Sequence, residues 1–333
     1  MKNLALSYPL VSIGLPVFNG EKTLADALNS LLNQDYKNIE IIISDNGSSD
    51  GTHDICKEYL SKDGRIKYFR SDINHGSIWN FNQVFKLSRG KYFMWAAHDD
   101  NRENSYVKSC VEKLEKNSYS VLCQSITAMY IEGNTNQLCL ATLDSFNRKM
   151  SLVERYKETL YNAPATAIYG LYRVEAVRKT RLFEKVIATD ISFLQELSMY
   201  GNFLEVPIVL FNYFGREKWN TIEQDYKVFF GNQKKPWWYF PFVVLFCNHW
   251  SRISSSNFSF KTKIQLRLVL VNYEIRKTLI KILLRFFRLF CPEKYKVKIG
   301  SIIYWKFMHS PNILVGDKNL FLNRVIKSKL GIL

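Results

Sequence analysis

The residues most able to do chemistry sit in a few short polar loops. His98-Asp99-Asp100 follows the apolar run 92–97, so two carboxylates stand at the carboxyl end of an expected strand. Oxygen ligands there suit a hard divalent cation. Residues 16–21 read PVFNGE and residues 45–52 read DNGSSDGT, both poor in positive charge although the chain carries +16. Neither loop has the GxGxxG or P-loop glycines that bring backbone amides onto a phosphate. A nucleoside diphosphate bound without such a cradle needs its charge neutralised by a cation, and His98-Asp99-Asp100 supplies the carboxylates for one. Asp190 opens a further polar start, TDISFLQEL.

The elements that must position these groups follow from the apolar pattern. Residues 11–17 form an apolar run with Pro16, as in a strand buried on both faces. Leu24, Ala27, Leu28, Leu31 and Leu32 recur at helical spacing. Further strands are expected at 39–44, 66–69 and 92–97, with helices at 52–60 and after NHG at 74–76. This βαβ rhythm predicts an α/β protein with a doubly wound, parallel sheet whose ligands bind at the carboxyl ends of the strands, the edge where the acidic loops fall. A helix is then expected at 105–116, a strand at 120–131, a turn at Glu132-Gly133-Asn134 opening a hairpin, helix, strand and helix through 151–202, and a strand at 203–214. Two prolines and a cluster of aromatics in KKPWWYFP divide the chain into residues 1–235 and 236–333.

With 333 residues, 47% of them hydrophobic, the chain has ample material for a core. The six cysteines lie far apart with no CxxC spacing, which argues against zinc knuckles and disulfide scaffolds and for reduced thiols. The first residues resemble neither a secretory signal nor a transit peptide, so a cytoplasmic location is expected. From residue 260 onward 16 Lys and Arg face three acids, so most of the net charge lies at the C-terminal end. Such a segment meets an anionic surface, either phospholipid or nucleic acid. No nucleic-acid-binding signature accompanies it, and no nucleic-acid partner is expected.

Taken in order, PVFN, SDNGSSDGT, NHG followed by Asn82, GKYFMWAAHDD and TDISFLQEL resemble the family 2 inverting glycosyltransferases of GT-A fold, over residues 11–214. The resemblance implies a Rossmann-like, doubly wound, mainly parallel sheet with a smaller mixed sheet on the acceptor side, followed here by a basic helical extension. It implies transfer of a hexosyl or related sugar from a nucleoside diphosphate donor to a glycan or lipid-linked acceptor, in cell-surface polysaccharide synthesis. Pro16, Val17, Phe18, Asn19, Glu21, Asp45, Asn82 and Asp99 would bind the donor, with Asp45 accepting from the base. Asp99 would hold Mn2+ or Mg2+ against the diphosphate, and Asp190 would be the general base. Where the family has DxD this chain has Ala97-His98-Asp99, so the first carboxylate is replaced by a methyl group.

Each of these residues has a plainer reading. Asp50, Asp99 and Asp190 are all able to cap helices, the last two at 105 and at FLQELSMY. His98 is a packing residue before it is a ligand, and His75 and Arg216 are loop residues. Lys277, Lys281, Arg285 and Arg288 share one helical face, with Ile280, Leu283, Leu284 and Phe287 on the other. That helix either lies in an anionic membrane interface, making the protein peripheral on the inner face, or packs on the N-terminal unit. Rival functions are a nucleotidyltransferase and a non-catalytic glycan- or membrane-binding protein.

Overall fold

The computed structural model describes residues 9–131, 134–215, 221–231, 234–237, 239–290 and 313–315, without the side chains of 131–139, 222, 280–281, 283–290 and 313–315. Four strands form its parallel half: β1 (Val11–Val17), β2 (Ile39–Asp45), β3 (Ile66–Arg70) and β4 (Tyr92–Trp95), in the order β3-β2-β1-β4. Every residue of β1 and β2 is buried, as strands covered on both faces must be. The covering helices are α1 (Leu24–Leu32), α2 (Thr52–Lys62) and α3 (Ser77–Lys86). Helix α3 lies so close to β1 that a Cβ on Gly14 would come within 2.7 Å of Val84 and Phe93. Pairing of β4 with β1 ends at Trp95 opposite Gly14, so Pro16, with no N–H to give, sits where one neighbour has already run out.

The mixed half continues the same sheet. After β5 (Asn101–Arg102) and α4 (Tyr106–Glu115) come β6 (Ser120–Ile131) and β7 (Asn134–Ala141), an antiparallel pair whose turn, expected at 132–134, lies largely outside the described residues. Helix α5 (Leu152–Asn162) opens on a capping box made by Ser151 and Glu154. Strand β8 (Leu171–Arg173) then joins the halves, antiparallel to both β4 and β6, and α6 (Val174–Val177) and α7 (Thr189–Leu197) follow. Strand β9 (Asn202–Gly215) pairs in parallel with β6 and antiparallel with β5. The smaller mixed sheet expected beside the parallel one is thus hydrogen-bonded to it through β8.

Trp95, fully buried at the end of β4, is the hub of the core below the site. Its ring stacks on Phe183 at 5.1 Å and meets Phe93, Tyr172 and Phe193 edge-on, while its Nε1 donates to Phe81 O at 2.9 Å. Such edge-on and offset contacts are the favoured aromatic geometries.

Beyond β9 come α8 (Ile222–Phe230), α9 (Pro241–Ser255), α10 (Phe260–Phe290) and the short β10 (Ile313–Val315), which pairs with β7. Arg252 of α9 is buried and ion-paired with Glu196 of α7 and with Glu184, so α9 is bolted to the helix that carries Asp190. Leu266 and Leu270 of α10 close a small core with Tyr156, Met199 and Ile253. Lys277, expected on an exposed basic face, is instead largely covered. It lies over the rings of Phe242 and Tyr273 and pairs with Glu274 at 3.1 Å. The side chains of Ile280, Lys281, Leu283, Leu284, Arg285, Phe287 and Arg288 lie outside the described residues. Among those described, no helix is long and apolar enough to cross a membrane.

Candidate active site

The polar loops converge at the carboxyl edge of the parallel strands. Loop 18–22 and loop 46–51 are laced together by backbone-to-side-chain bonds. Asn19, at φ 54°, donates its N–H to Ser48 Oγ (2.9 Å) and accepts from Ser49 N at Oδ1 (3.0 Å). Gly20 N donates to Thr52 Oγ1, Glu21 N to Asp50 Oδ2, and Gly51 N to Glu21 Oε2. Asp50 also accepts from the N–H and hydroxyl of Thr52, the first residue of α2. It therefore braces the start of α2, whose cap position is held by Gly51, and clamps the first loop. Burial would raise its pKa, but the bonds from Thr52 and Glu21 outweigh that and hold it below the usual carboxylate range.

Pro16 and Val17 are buried strand residues, whereas Phe18 is exposed at the mouth of the loop. Asp45 is fully buried, and its oxygens accept from Ser48 N (2.9 Å) and Tyr68 Oη (2.9 Å), with Arg70 Nε at 3.4 Å. Sequence reasoning missed Tyr68 and Arg70. They lie two apart on β3, with Arg70 directly across from Asp45, a placement readable only once the strand register is known. Asn46 and Asn80 were missed too. Asn46 Nδ2 donates to Asn74 Oδ1 and Gly76 O while its Oδ1 takes His75 N, which fixes the NHG loop. Gly76, at φ 86°, has no room for a side chain, since a Cβ would stand 2.6 Å from Gly231 N at the end of α8. Asn80 Nδ2 donates to Val17 O and Ser44 O across the ends of β1 and β2.

Asn82 uses both ends of its amide on one backbone residue, Phe183: Nδ2 donates to the carbonyl and Oδ1 accepts from the N–H. Past the NHG loop a cavity of about 590 Å3 opens, lined by His75, Trp79, Phe183, Lys185, Phe229 and Phe230. The His75 and Trp79 rings meet with centroids 4.4 Å apart.

The segment after β4 separates its three polar residues. His98 Nδ1 bonds Thr23 Oγ1 at 3.0 Å, and its ring lies against Gly20, so His98 braces the first loop. Asp99 is half-buried, and among the described residues its carboxylate makes no hydrogen bond or ion pair; α4 takes Ser105 as its N-cap residue, not Asp99. Asp100 turns inward. It is 1% exposed, accepts Phe214 N at Oδ1 (2.9 Å), and leaves Oδ2 without a partner. Burial and the charge of Asp99 push it up to about 8. Arg102, also buried, donates to Trp95 O and Tyr169 O, tying the end of β4 to the 3-10 turn 165–169.

Asp190 lies in the first turn of α7, behind Ala188 at φ 62°; Ala188 occupies the cap position, so Asp190 is not the helix cap. Burial raises its pKa, opposed by hydrogen bonds from the Ile191 and Asp190 amides at the helix N-terminus. Tyr169 brings the acidic groups into one neighbourhood. Burial lifts its phenol well above the ordinary range, and the charges of Asp100, Asp99 and Asp190 add to the effect.

Among the described residues no three His, Cys, Asp or Glu side chains converge as a closed metal site. The groups present do fit an open one. The Asp99 carboxylate has no hydrogen-bond or ion-pair partner among the described residues, and a Mg2+-like ion bound with substrate phosphates asks the protein for only one or two carboxylates.

Comparison with known proteins shows the family and the fold. The sequence profile described as Glycosyl transferase family 2 matches residues 12–181. An uncharacterized glycosyltransferase of Haemophilus influenzae is 27% identical over 236 residues, which is 66% of this chain and 94% of that one. An uncharacterized glycosyltransferase of Rickettsia bellii is 43% identical over 99 residues, 29% of this chain, and the match spans only 14% of that longer protein. Among solved structures, S. aureus TarS 1–349 in complex with UDP-GlcNAc superposes with a TM-score of 0.59 at 16% identity, covering 89% of this chain and 81% of that one. The mannosyltransferase PcManGT from Pyrobaculum calidifontis, in complex with GDP-Man and Mn2+, gives 0.56 at 11% identity, covering 98% and 86%.

Proposed function

The chain belongs to glycosyl transferase family 2, and on that premise we propose that it moves one sugar, with inversion, from a nucleoside diphosphate sugar to a hydroxyl of a glycan or lipid-linked acceptor in the synthesis of a cell-surface polysaccharide. Residues 1–235 are the transfer unit and 236–333 its extension. The observation that carries the reading is the family match over residues 12–181, with the Asp99 carboxylate unpartnered after β4 and Asp190 in the first turn of α7.

Inverting transfer is a single in-line displacement, which needs a proton acceptor on one side of the anomeric carbon and charge stabilisation on the other. Asp190 takes the acceptor hydroxyl's proton. Its raised pKa makes it a stronger base than an exposed aspartate, and the amides at the start of α7 keep the carboxylate oriented. The laced loops 18–22 and 46–51, with Asp45 held by Tyr68, receive the nucleoside; Glu21 stays in place through Gly51. Asp99 would hold Mn2+ or Mg2+, which when bound offsets the charge of the leaving diphosphate. Asn82 fixes the loop at Phe183 beside the aromatic cavity, which receives the acceptor saccharide against Trp79. The basic extension brings the enzyme to an anionic membrane at the cytoplasmic face, where a lipid-linked acceptor is found.

The test is release of nucleoside diphosphate from a panel of UDP- and GDP-sugars, with Mn2+ and with chelator. Release that requires both the cation and Asp190 supports the reading. Binding of the donors with no turnover under any condition would overturn it.

A further inference from the structure

We propose that the chain meets lipid through the outward aliphatic stripe of α10, formed by Ile264, Leu268, Val271, Ile275, Leu279 and Ile282, and not through the face that carries Lys277. The inference rests on the membrane reading given above and assigns it a surface.

Helix α10 carries two apolar stripes on opposite sides. Leu266, Leu270 and Tyr273 face α5 and α9, where the two leucines are buried and Tyr273 meets Tyr161 edge-on at 5.1 Å. Lys277 belongs to that inner side. Among the described residues the other stripe is largely open, Val271 being half-buried and its five companions exposed. Leu268, Ile275 and Ile282, spaced by seven, are 63%, 54% and 56% exposed, and Leu279 is 54% exposed. Six aliphatic residues in line over about 27 Å of helix make a contiguous apolar surface of a kind that monomeric proteins keep small.

Charge decides between lipid and a second copy of the helix. Residues 260–290 hold eight Lys and Arg and a single acid, Glu274, which is already paired with Lys277. Lys261 and Arg276 are exposed beside the stripe, and Arg267 lies over the Trp250 ring on its other flank. Two such helices placed together repel, whereas an anionic bilayer attracts the basic flanks as the aliphatic side chains enter the headgroup boundary. An in-plane helix with basic residues on both flanks of an apolar stripe is the geometry of interfacial binding.

The test is flotation of the full chain with phosphatidylcholine vesicles, with and without phosphatidylglycerol, at low and high salt, alongside light scattering without lipid. Wild type is expected to float with the anionic vesicles and to be released by salt. The triple variant Leu268→Ser, Ile275→Ser, Ile282→Ser should bind about tenfold less or weaker still, at an unchanged melting temperature because the three side chains are exposed. Wild type that ignores anionic vesicles overturns the membrane reading and this surface with it. Wild type that floats while the triple variant floats equally overturns the surface alone. A dimer in solution that the triple variant converts to monomer, without any vesicle binding, makes the stripe a seam between copies and also overturns the proposal. Turnover of a water-soluble acceptor, measured on the same samples, reports the glycosyltransferase reading independently.

Discussion

Asn82 and Phe183 are joined in both directions across 101 positions of sequence, the amide Nδ2 donating to the Phe183 carbonyl at 2.8 Å and Oδ1 accepting its N–H at 3.1 Å. Helix α3 thereby fixes the segment that runs on to Asp190. Asn82→Ala removes both bonds and strands two backbone groups, an expected loss of about 1–3 kcal/mol of stability. The positioning role predicts lower kcat and a higher acceptor KM, with nucleotide affinity kept. A drop confined to nucleotide affinity, by calorimetric titration, would return Asn82 to direct donor contact.

Asp99→Asn should abolish the Mn2+-dependent part of donor affinity and leave the melting temperature of the free protein unchanged, because the carboxylate holds up no other described residue. A thermal-shift titration of nucleoside diphosphate with and without Mn2+ reads both quantities. Equal Mn2+ dependence in variant and wild type would remove Asp99 from the cation site.

Asp190→Asn should slow transfer by about 10² to 10⁴ while donor affinity is preserved, the pattern for loss of a general base. Since burial raises the Asp190 pKa, the acidic limb of the wild-type kcat profile should lie above the ordinary aspartate range, activity being lost as pH falls through that raised value. In the variant that limb should vanish from the residual rate. Full activity in Asp190→Asn would leave the residue as a feature of the helix start.

Glu40 links three strands' worth of structure, accepting Ser12 Oγ and Arg89 N at Oε1 and pairing with Lys67 and Arg89 at Oε2. Burial alone would raise its pKa, but these partners, Lys67 foremost, bring it to about 2 from 4.5. A depressed folded-state value means the stabilisation is complete above 4.5 and lost as pH falls toward 2; it amounts to roughly 3 kcal/mol. Glu40→Gln should flatten the fall of melting temperature across that window. An unchanged acid slope would show that other carboxylates set it.

The parallel half of the fold is legible because its strands are buried on both faces and therefore read as unbroken apolar runs: residues 11–17 and 39–44 were expected, and β1 and β2 span Val11–Val17 and Ile39–Asp45. The pairing of β6 with β9 was not legible, since nothing in either strand names a partner so distant in sequence. Within the site, residue types announce Asp99 and Asp190, but only backbone direction separates Asp99, left open, from Asp100, turned inward onto Phe214 N. Tyr68 and Arg70 escape notice for a related reason: their place beside Asp45 is a matter of register across two strands.

The parallel pairing of β6 with β9 sets Ser120 opposite Asn202 and threads β7, α5, β8, α6 and α7 between the two strands. Contacts so remote in sequence cost chain entropy before they return any stabilisation, and they form slowly. The laced loops and the residues that brace them, Asn80 and His98 included, end at 98, so on the ribosome they can be finished while the strand that closes the other half is still unmade. Nascent chains ending before β9 would then carry a formed nucleoside side and an unformed acceptor side, and ligand present during synthesis would select the growing chain before it is able to turn over.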